Sequence, residues 1–259
     1  MIGVFDSGVG GLSVLTEIRR LLPRADLLYL ADQKRAPYGV RSLDEVAAMA
    51  NDVTGWLLDR GASVVTIACN TASAAALHQL RALHPGVPFV GMEPAVKPAA
   101  IRTTSGVIGV VATAATFQGE LFASVVQRHS QGARIVTQAC PSWVELVEAS
   151  MIDGPEARAR VERCLAPILD EGADTLVLGC THFGYLVPLI EQVAGPALTI
   201  IDPAPAVARQ VARIASDHPG EGRLRLATSG DPARLERVAY DLAGIEADEP
   251  VLACTWNDS

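Results

Sequence analysis

Eight short apolar runs recur along the chain, and longer segments with a helical spacing of apolar residues separate them. Two such segments are 43–60 and 156–171. Strands that alternate with helices in this way form parallel sheets, because each helix carries the chain back to the end of the sheet where the previous strand began. The pattern predicts an α/β protein with strands over 2–5, 27–30, 64–68, 87–90, 107–111, 135–137, 175–178 and 198–201.

Two stretches of the chain are similar enough to indicate an internal repeat. Segments 61–71 and 172–182 resemble each other, and their cysteines, Cys69 and Cys180, lie 111 positions apart. Prolines interrupt the periodic pattern between the halves, at 85, 88, 94 and 98, and again at 203 and 205. Because chain crossings between domains often have this composition, we expect two similar α/β halves. The segment after about 204 is expected to return to the first half.

Charge and composition indicate which classes of binding partner the protein has. The chain has 259 residues, of which 49% are apolar, and 21 Lys and Arg against 29 Asp and Glu give a formal net charge of −8. This composition is typical of a compact soluble protein, and its acidity argues against nucleic acid, whose binders cluster cations against phosphates. No apolar run reaches the roughly 18 residues of a membrane span, and the first residues lack a signal-peptide pattern. We expect a cytoplasmic protein with a small-molecule ligand.

Cysteines carry the strongest chemical signal. Their number, five, is odd, and no Cys-x-x-Cys pair occurs, so neither a disulfide framework nor a zinc ribbon is predicted. Cys69 and Cys180 each follow a predicted strand and precede polar residues, where a helix N-terminus favours a thiolate. A free cysteine is often only a small buried apolar residue, and we assign that structural role to Cys140, Cys164 and Cys254.

Other motifs bear on cofactors. The glycine-rich loop 8–11 follows the first strand but matches G-x-G-x-x-G incompletely, since Ser13 stands at the third glycine, and only Asp32 could serve as a ribose carboxylate. The other interpretation is that Asp6 and Ser7 face a crevice while the glycines allow close approach of a helix N-terminus to a small carboxylate. Only two lysines occur, which disfavours pyridoxal phosphate, and the five histidines, including His218, show no metal-ligand spacing. We expect no cofactor and no metal.

Two thiols that face one crevice suggest proton transfer at a single carbon from opposite sides. Only roughly 3% of a free thiol is ionised at pH 7, so neighbours must adjust each cysteine. We expect Asp6 near Cys69, and His182 with Glu148 near Cys180. The donors for a developing carbanion are expected to be Ser7, Asn70, Thr71 and Thr181. A Cys-His hydrolase would use only one thiol, and a binding module would use neither.

These residues lie in motifs that together resemble one family. The chain is similar to the cofactor-independent glutamate racemases of bacteria, in the aspartate/glutamate racemase superfamily, over nearly its whole length. The motifs are Val4-Phe5-Asp6-Ser7-Gly8-Val9-Gly10-Gly11-Leu12, Arg35-Ala36-Pro37-Tyr38-Gly39, Ala68-Cys69-Asn70-Thr71-Ala72, Glu93-Pro94-Ala95-Val96-Lys97-Pro98-Ala99, Gly106-Val107-Ile108-Gly109-Val110, Leu178-Gly179-Cys180-Thr181-His182 and Ile201-Asp202-Pro203. The sequence departs from the family at Gly184, where proline is common, and at 33–34.

The resemblance implies a fold and a set of roles. It implies two domains around a pseudo-twofold axis, the first over 1–93 and 205–259 and the second over 94–204, with the active site between them. By resemblance, Cys69 takes the proton of D-glutamate and Cys180 that of L-glutamate, assisted by Asp6, Glu148 and His182. The substrate contacts that it implies are Asp6, Ser7, Tyr38, Gly39, Asn70, Thr71, Thr113, Thr181 and His182.

The biological setting also comes from the resemblance. It implies an isomerase that supplies D-glutamate for peptidoglycan, and so for the cell wall and cell shape. A homodimer is one of the assembly states that the resemblance leaves open. The alternatives are a racemase for another acid such as aspartate and, from a different class, a non-catalytic protein that binds small acids.

Overall fold

The computed structural model describes residues 1–215 and 220–256. Its strands are β1 (Ile2–Asp6), β2 (Leu27–Ala31), β3 (Val64–Ile67), β4 (Phe89–Gly91), β5 (Val107–Ala112), β6 (Arg134–Ala139), β7 (Thr175–Gly179), β8 (Thr199–Ile201), β9 (Leu224–Thr228) and β10 (Leu252–Ala253). Its α-helices are α1 (Leu12–Leu21), α2 (Leu43–Leu58), α3 (Asn70–Leu83), α4 (Val96–Arg102), α5 (Ala114–Gln118), α6 (Glu120–His129), α7 (Pro141–Glu148), α8 (Gly154–Asp170), α9 (Val187–Ala194), α10 (Ala204–Ile214) and α11 (Pro232–Ala243). Two 3₁₀ helices cover Tyr38–Val40 and Thr181–Leu186.

The strands form two sheets in which every described pair is parallel. One sheet has the order β10-β9-β2-β1-β3-β4 and the other β6-β5-β7-β8. The order β2-β1-β3-β4 in the first sheet matches β6-β5-β7-β8 in the second, strand for strand. The α/β class with two similar parallel-sheet domains is thereby confirmed, and the repeated segments 61–71 and 172–182 enclose the equivalent strands β3 and β7.

All eight predicted strands are present, but β9 and β10 were not predicted. Arg225 interrupts the apolar run of β9, and its guanidinium lies 2.8 Å from the sulfur of Met1, while β10 is too short to show a pattern. Both strands join the first sheet, and α10 packs against α1. We propose the domain boundaries at 93/94 and 204/205, although 216–219 and 257–259 lie outside the described residues.

Local sequence signals explain where the helices begin. The α2 helix begins with a capping box, in which the Ser42 hydroxyl accepts from the Glu45 amide and the Glu45 carboxylate accepts from the Ser42 amide. Proline occupies the first turn of α7, α8, α9, α10 and α11, where its missing N–H costs no hydrogen bond. Within 1–215 and 220–256, none of the helices combines the length and apolar character that a bilayer crossing requires.

The central strands are buried and parallel, so the polar residues that follow them lie at one edge of each sheet. All residues of β1, β2, β3 and β7 are buried, as parallel strands covered by helices on both faces require. The chain leaves β1 at Asp6, and Cys69 and Cys180 follow β3 and β7 closely. Because β1 and β3 are hydrogen-bonded neighbours, Asp6 and Cys69 emerge side by side.

One expectation about the cysteines was wrong. Cys140 and Cys164, which were expected to be free, form a disulfide, with Cα atoms 6.1 Å apart. Cys140 precedes α7 and Cys164 lies in α8, so the bond joins two helices that pack against each other. A separation of 24 residues has no local signature, and only the tertiary packing of these helices brings the sulfurs together. Cys69, Cys180 and Cys254 are free.

The α7 helix is fixed to the second domain by an aromatic contact. Trp143 is fully buried, and its ring meets Phe183 of the 3₁₀ helix edge to face, with centroids 4.9 Å apart. Its Nε1 donates to the carbonyl oxygen of Arg160 at 3.2 Å. Burial of large aromatic side chains in such pairs contributes strongly to stability.

Replacement of Trp143 by alanine is expected to lower the free energy of unfolding by about 3–5 kcal/mol, because it opens a cavity and removes the ring contact with Phe183. Urea denaturation measures this change. Tyr240→Ala is the matched control, since Tyr240 is 59% exposed, and it should change the free energy by less than about 0.5 kcal/mol. Equal losses in the two variants would contradict the assigned packing role.

Candidate active site

A cavity of about 420 Å³ opens where the carboxyl ends of the two sheets face each other. Open α/β sheets bind ligands at this edge of their strands. All twelve of the predicted site residues line it, and they come from both domains: Asp6, Ser7, Tyr38, Gly39, Cys69, Asn70, Thr71, Thr113, Glu148, Cys180, Thr181 and His182. The structure therefore brings the predicted residues into one place. Their individual roles stay predictions.

On the first-domain side, the cysteine lies at the start of a helix. Cys69 is the N-cap of α3, and its sulfur accepts a hydrogen bond from the Ala72 amide at 3.4 Å. The Ser7 hydroxyl lies 4.0 Å from the same sulfur. Burial raises the pKa of Cys69 well above its ordinary value, and the neighbouring negative charge of Asp6 raises it further. At neutral pH Cys69 is therefore a protonated thiol.

Asp6 connects the two domains through its carboxylate. It is fully buried, and one carboxylate oxygen accepts from the Ser7 amide at 2.6 Å. The other oxygen accepts from the Gly11 amide and from the Thr181 hydroxyl, the latter at 3.0 Å across the domain interface. These hydrogen bonds offset the free-energy cost of burying a carboxylate.

On the second-domain side, the cysteine belongs to a chain of three titratable groups. Nδ1 of His182 lies 3.7 Å from the Cys180 sulfur, and its Nε2 lies 2.8 Å from Oε1 of Glu148. Burial alone would lower the pKa of His182, but the hydrogen bonds to Cys180 and Glu148 outweigh it and raise the pKa well above its ordinary value. Burial alone would raise the pKa of Glu148, but the hydrogen bonds to His182 and Val9 outweigh it, and the pKa lies below its ordinary value. The result is an imidazolium beside Cys180.

Close packing explains why glycines occur in the loop after β1. A Cβ atom at Gly8 would overlap the Glu148 carboxylate, and one at Gly10 would overlap the His182 ring and lie 2.6 Å from the Thr181 hydroxyl oxygen. The Val9 amide donates to Glu148 Oε1 at 2.9 Å. Side chains of the second domain thus pack directly against the loop, so the carboxylate at its amide is that of Glu148. The sequence led us to expect the carboxylate of a small molecule there. The approaching groups are side chains of α7 and the 3₁₀ helix.

The remaining predicted contacts form a neutral polar wall. Asn70 is buried, and neither polar atom of its side chain has a hydrogen-bond partner. Three hydroxyls cluster near it, with Thr71 Oγ1 at 2.9 Å from Thr113 Oγ1 and 3.3 Å from Thr116 Oγ1. A Cβ at Gly39 would lie 2.7 Å from that of Thr113. Because a buried amide without partners is costly, the Asn70 side chain is open to a hydrogen-bonding group in the cavity. Thr116 was not predicted, since no strand-end pattern marks it.

Asp32 is a second residue whose function was not recognised from the sequence. It is fully buried, and it accepts hydrogen bonds from Tyr38, Arg35, Ser229 and Trp256. These contacts occupy both oxygens, so the carboxylate is not placed for a ribose. It instead holds the 38–39 turn against the cavity. The partners at 229 and 256 are distant in sequence, so the only signal was its position after β2.

The described residues provide no cluster of three metal-ligating side chains. None of their His, Cys, Asp and Glu side chains gather into such a group within 1–215 and 220–256. His218, which was considered at the sequence level, lies outside these ranges. The chemical groups that line the cavity include two thiols, an imidazole, carboxylates and neutral hydrogen-bonding side chains.

Comparison with known proteins gives a consistent result. A family model described as Asp/Glu/Hydantoin racemase matches residues 2–211. A glutamate racemase of Roseiflexus sp. (strain RS-1) is 51% identical over 248 residues, which cover 93% of this chain and 91% of that protein. One of Pseudomonas aeruginosa (strain PAO1) is 46% identical over 94% of both chains. The crystal structure of Escherichia coli glutamate racemase with L-glutamate and an activator aligns with a TM-score of 0.88, at 30% identity, over 98% of this chain and 97% of that one.

Glu148→Gln is expected to lower the pKa of His182. The amide can still accept from Nε2, but it removes the negative charge that stabilises the imidazolium, while burial continues to favour the neutral ring. The midpoint for loss of the ring proton should therefore move to lower pH. NMR titration of the labelled histidine ring measures it.

Glu156→Gln provides the control for this experiment. Glu156 is an exposed α8 residue paired with Arg160 at 2.6 Å, so its replacement removes the same charge away from the cavity. It should leave the His182 titration unchanged. An unchanged titration in Glu148→Gln as well would contradict the assigned charge relationship.

Proposed function

Because the chain belongs to the Asp/Glu/Hydantoin racemase family, we propose that it interconverts L- and D-glutamate by proton transfer at Cα between Cys180 and Cys69. The observation that carries the proposal is the pair of free thiols, which follow equivalent strands of two similar domains and line one cavity. Two groups on opposite sides of one carbon are what inversion requires. Neither a hydrolase nor a binding protein needs the second thiol.

The two halves of the site carry different charge at neutral pH. Cys69 is a buried thiol beside the Asp6 carboxylate, and Cys180 lies beside the His182 imidazolium. Following the family resemblance, we infer that Cys180 acts as the base towards L-glutamate and that Cys69 is the acid that protonates the opposite face of Cα.

Proton transfer then follows in a balanced sequence. The Cys180 thiolate removes the Cα proton of L-glutamate and becomes a thiol, and the electron pair of the C–H bond moves into the α-carboxylate. The Cys69 thiol delivers its proton to the opposite face of Cα and becomes a thiolate, which gives D-glutamate. The reverse reaction exchanges the two roles. Glu148 keeps His182 charged during this exchange.

Stabilisation of the carbanion comes from donors that are already in place. Asn70 lines the cavity with a side-chain amide that has no protein partner, whereas the Ser7 and Thr181 hydroxyls already donate to Asp6. Donors that need no rearrangement lower the barrier most. The Asn70 amide, which has no protein partner, is proposed to form its hydrogen bonds with the substrate. The hydroxyls of Thr71 and Thr113 and the 38–39 turn complete the wall that faces the substrate.

Glutamate is proposed as the substrate on the basis of the relatives. Those reported above are named glutamate racemases, and the E. coli structure contains L-glutamate. We further propose that the reaction needs no added cofactor and supplies D-glutamate for peptidoglycan in the cytoplasm. The family description also includes aspartate, so L-aspartate is the second substrate to test.

Cys69→Ala and Cys180→Ala are each expected to lower the rate of glutamate racemisation by about 10²–10⁴-fold or more, because each removes one proton-transfer group. Polarimetry or circular dichroism of L- and D-glutamate, with no cofactor added, measures the rate in both directions. Cys254→Ala is the control, since Cys254 is buried and free but does not line the cavity.

The outcomes separate the hypotheses. Loss of activity in both cavity variants but not in Cys254→Ala supports the proposal. Turnover of L-aspartate alone would assign the other acid as substrate. Full activity in either cavity variant would contradict the use of two thiols.

A further inference from the structure

One cationic side chain reaches the mouth of the cavity from the C-terminal part of the chain. Arg234 lies in the first turn of α11 and is exposed. It is the single Lys or Arg among the described residues that line the cavity, whereas three carboxylates, Asp6, Glu145 and Glu148, also line it. Its guanidinium stays charged at any pH at which the protein is folded.

A role in stabilising α11 does not explain why an arginine stands at position 234. The N-terminus of a helix carries a partial positive charge that favours Asp or Glu and disfavours a cation. Asp231 already caps α11 by accepting from the Ala233 amide at 3.0 Å. The buried face of the helix consists of Leu235, Val238 and Ala239, so Arg234 contributes nothing to the core.

The contact that Arg234 makes holds its charge at the cavity. Nη2 donates to the carbonyl oxygen of Glu148 at 3.1 Å, and Glu148 is the last residue of α7, whose final turn has no basic residue of its own. Among the ion pairs within the described part of the chain, none includes Arg234. The positive charge is therefore anchored in position but not neutralised by a carboxylate.

We propose that Arg234 recruits the anionic substrate to the mouth of the active site. This inference rests on the proposed function, since glutamate carries a net charge of minus one at neutral pH. A chain with a formal net charge of −8 and carboxylates in its cavity repels such a molecule, and an unpaired guanidinium at the entrance offsets this repulsion locally. Charges at the rim of a site act mainly on association and its salt dependence.

Arg234→Gln is the variant that tests the role. At low ionic strength it should lower kcat/KM for glutamate by about fivefold, as expected for loss of one charge at the rim of the site, and leave kcat nearly unchanged. The loss should diminish as sodium chloride is raised towards about 1 M, where the Debye length is about 3 Å. Arg234→Lys should retain most of the low-salt rate because it keeps the charge.

Arg237→Gln is the matched control, because Arg237 is exposed on the same helix and does not line the cavity. It removes the same charge, and its kcat/KM should stay close to that of the wild type. Thermal unfolding of each variant checks that it is folded.

Three results would overturn the role of Arg234. The first is equal kcat/KM in Arg234→Gln and Arg237→Gln at every salt concentration. The second is a loss confined to kcat and independent of salt, since this would show that Arg234 acts by fixing α7. The third is a wild-type protein that does not racemise glutamate, which would overturn the proposed function itself. If the wild-type protein racemises glutamate and Arg234→Gln and Arg237→Gln have equal kcat/KM, only the recruiting role is overturned.

Discussion

The close approach of the loop after β1 to the second domain is the constraint on which the site depends. Gly8 and Gly10 have no Cβ, and the space is filled by the Glu148 carboxylate and the His182 ring. The Val9 amide donates to the same carboxylate. Because the contact joins Glu148 to the first domain, the groups that face Cys180 and those that face Cys69 are fixed relative to each other. A side chain at either glycine would separate the two halves.

The site that this contact holds together has two halves with different side chains around each thiol. The fold repeats itself, with β3 and β7 in equivalent places and a cysteine soon after each. The neighbours of the two thiols differ, however, since an aspartate stands near one and a histidine near the other. A repeated fold with different neighbours therefore places the two thiols in unlike electrostatic surroundings. The proposed reaction needs one acid and one base at a time, and its reversal exchanges the two roles.

The sequence predicted those parts of the molecule that depend on local pattern. Apolar runs indicated the strands, and the strand-end rule placed Asp6, Cys69 and Cys180 at the carboxyl edges of their sheets, where ligands bind. Glu148 lies in an ordinary helical pattern, which did not distinguish it from surface glutamates. It was proposed beside Cys180 as a group that could adjust the thiol, and the family resemblance also pointed to it. The disulfide, the contacts of Asp32 and the position of Arg234 depend on tertiary packing between distant segments, which no local pattern records.

The central claim is that two different groups handle the proton on the two faces of Cα. Racemisation of L-glutamate in deuterium oxide, with both enantiomers separated at early times and analysed by mass spectrometry, tests it most directly. The account predicts that newly formed D-glutamate carries deuterium at Cα while the remaining L-glutamate retains protium, because Cys69 exchanges with solvent before it delivers its proton. Product that retains the original proton, or deuterium that enters both enantiomers at equal rates, would indicate a single base and contradict the account.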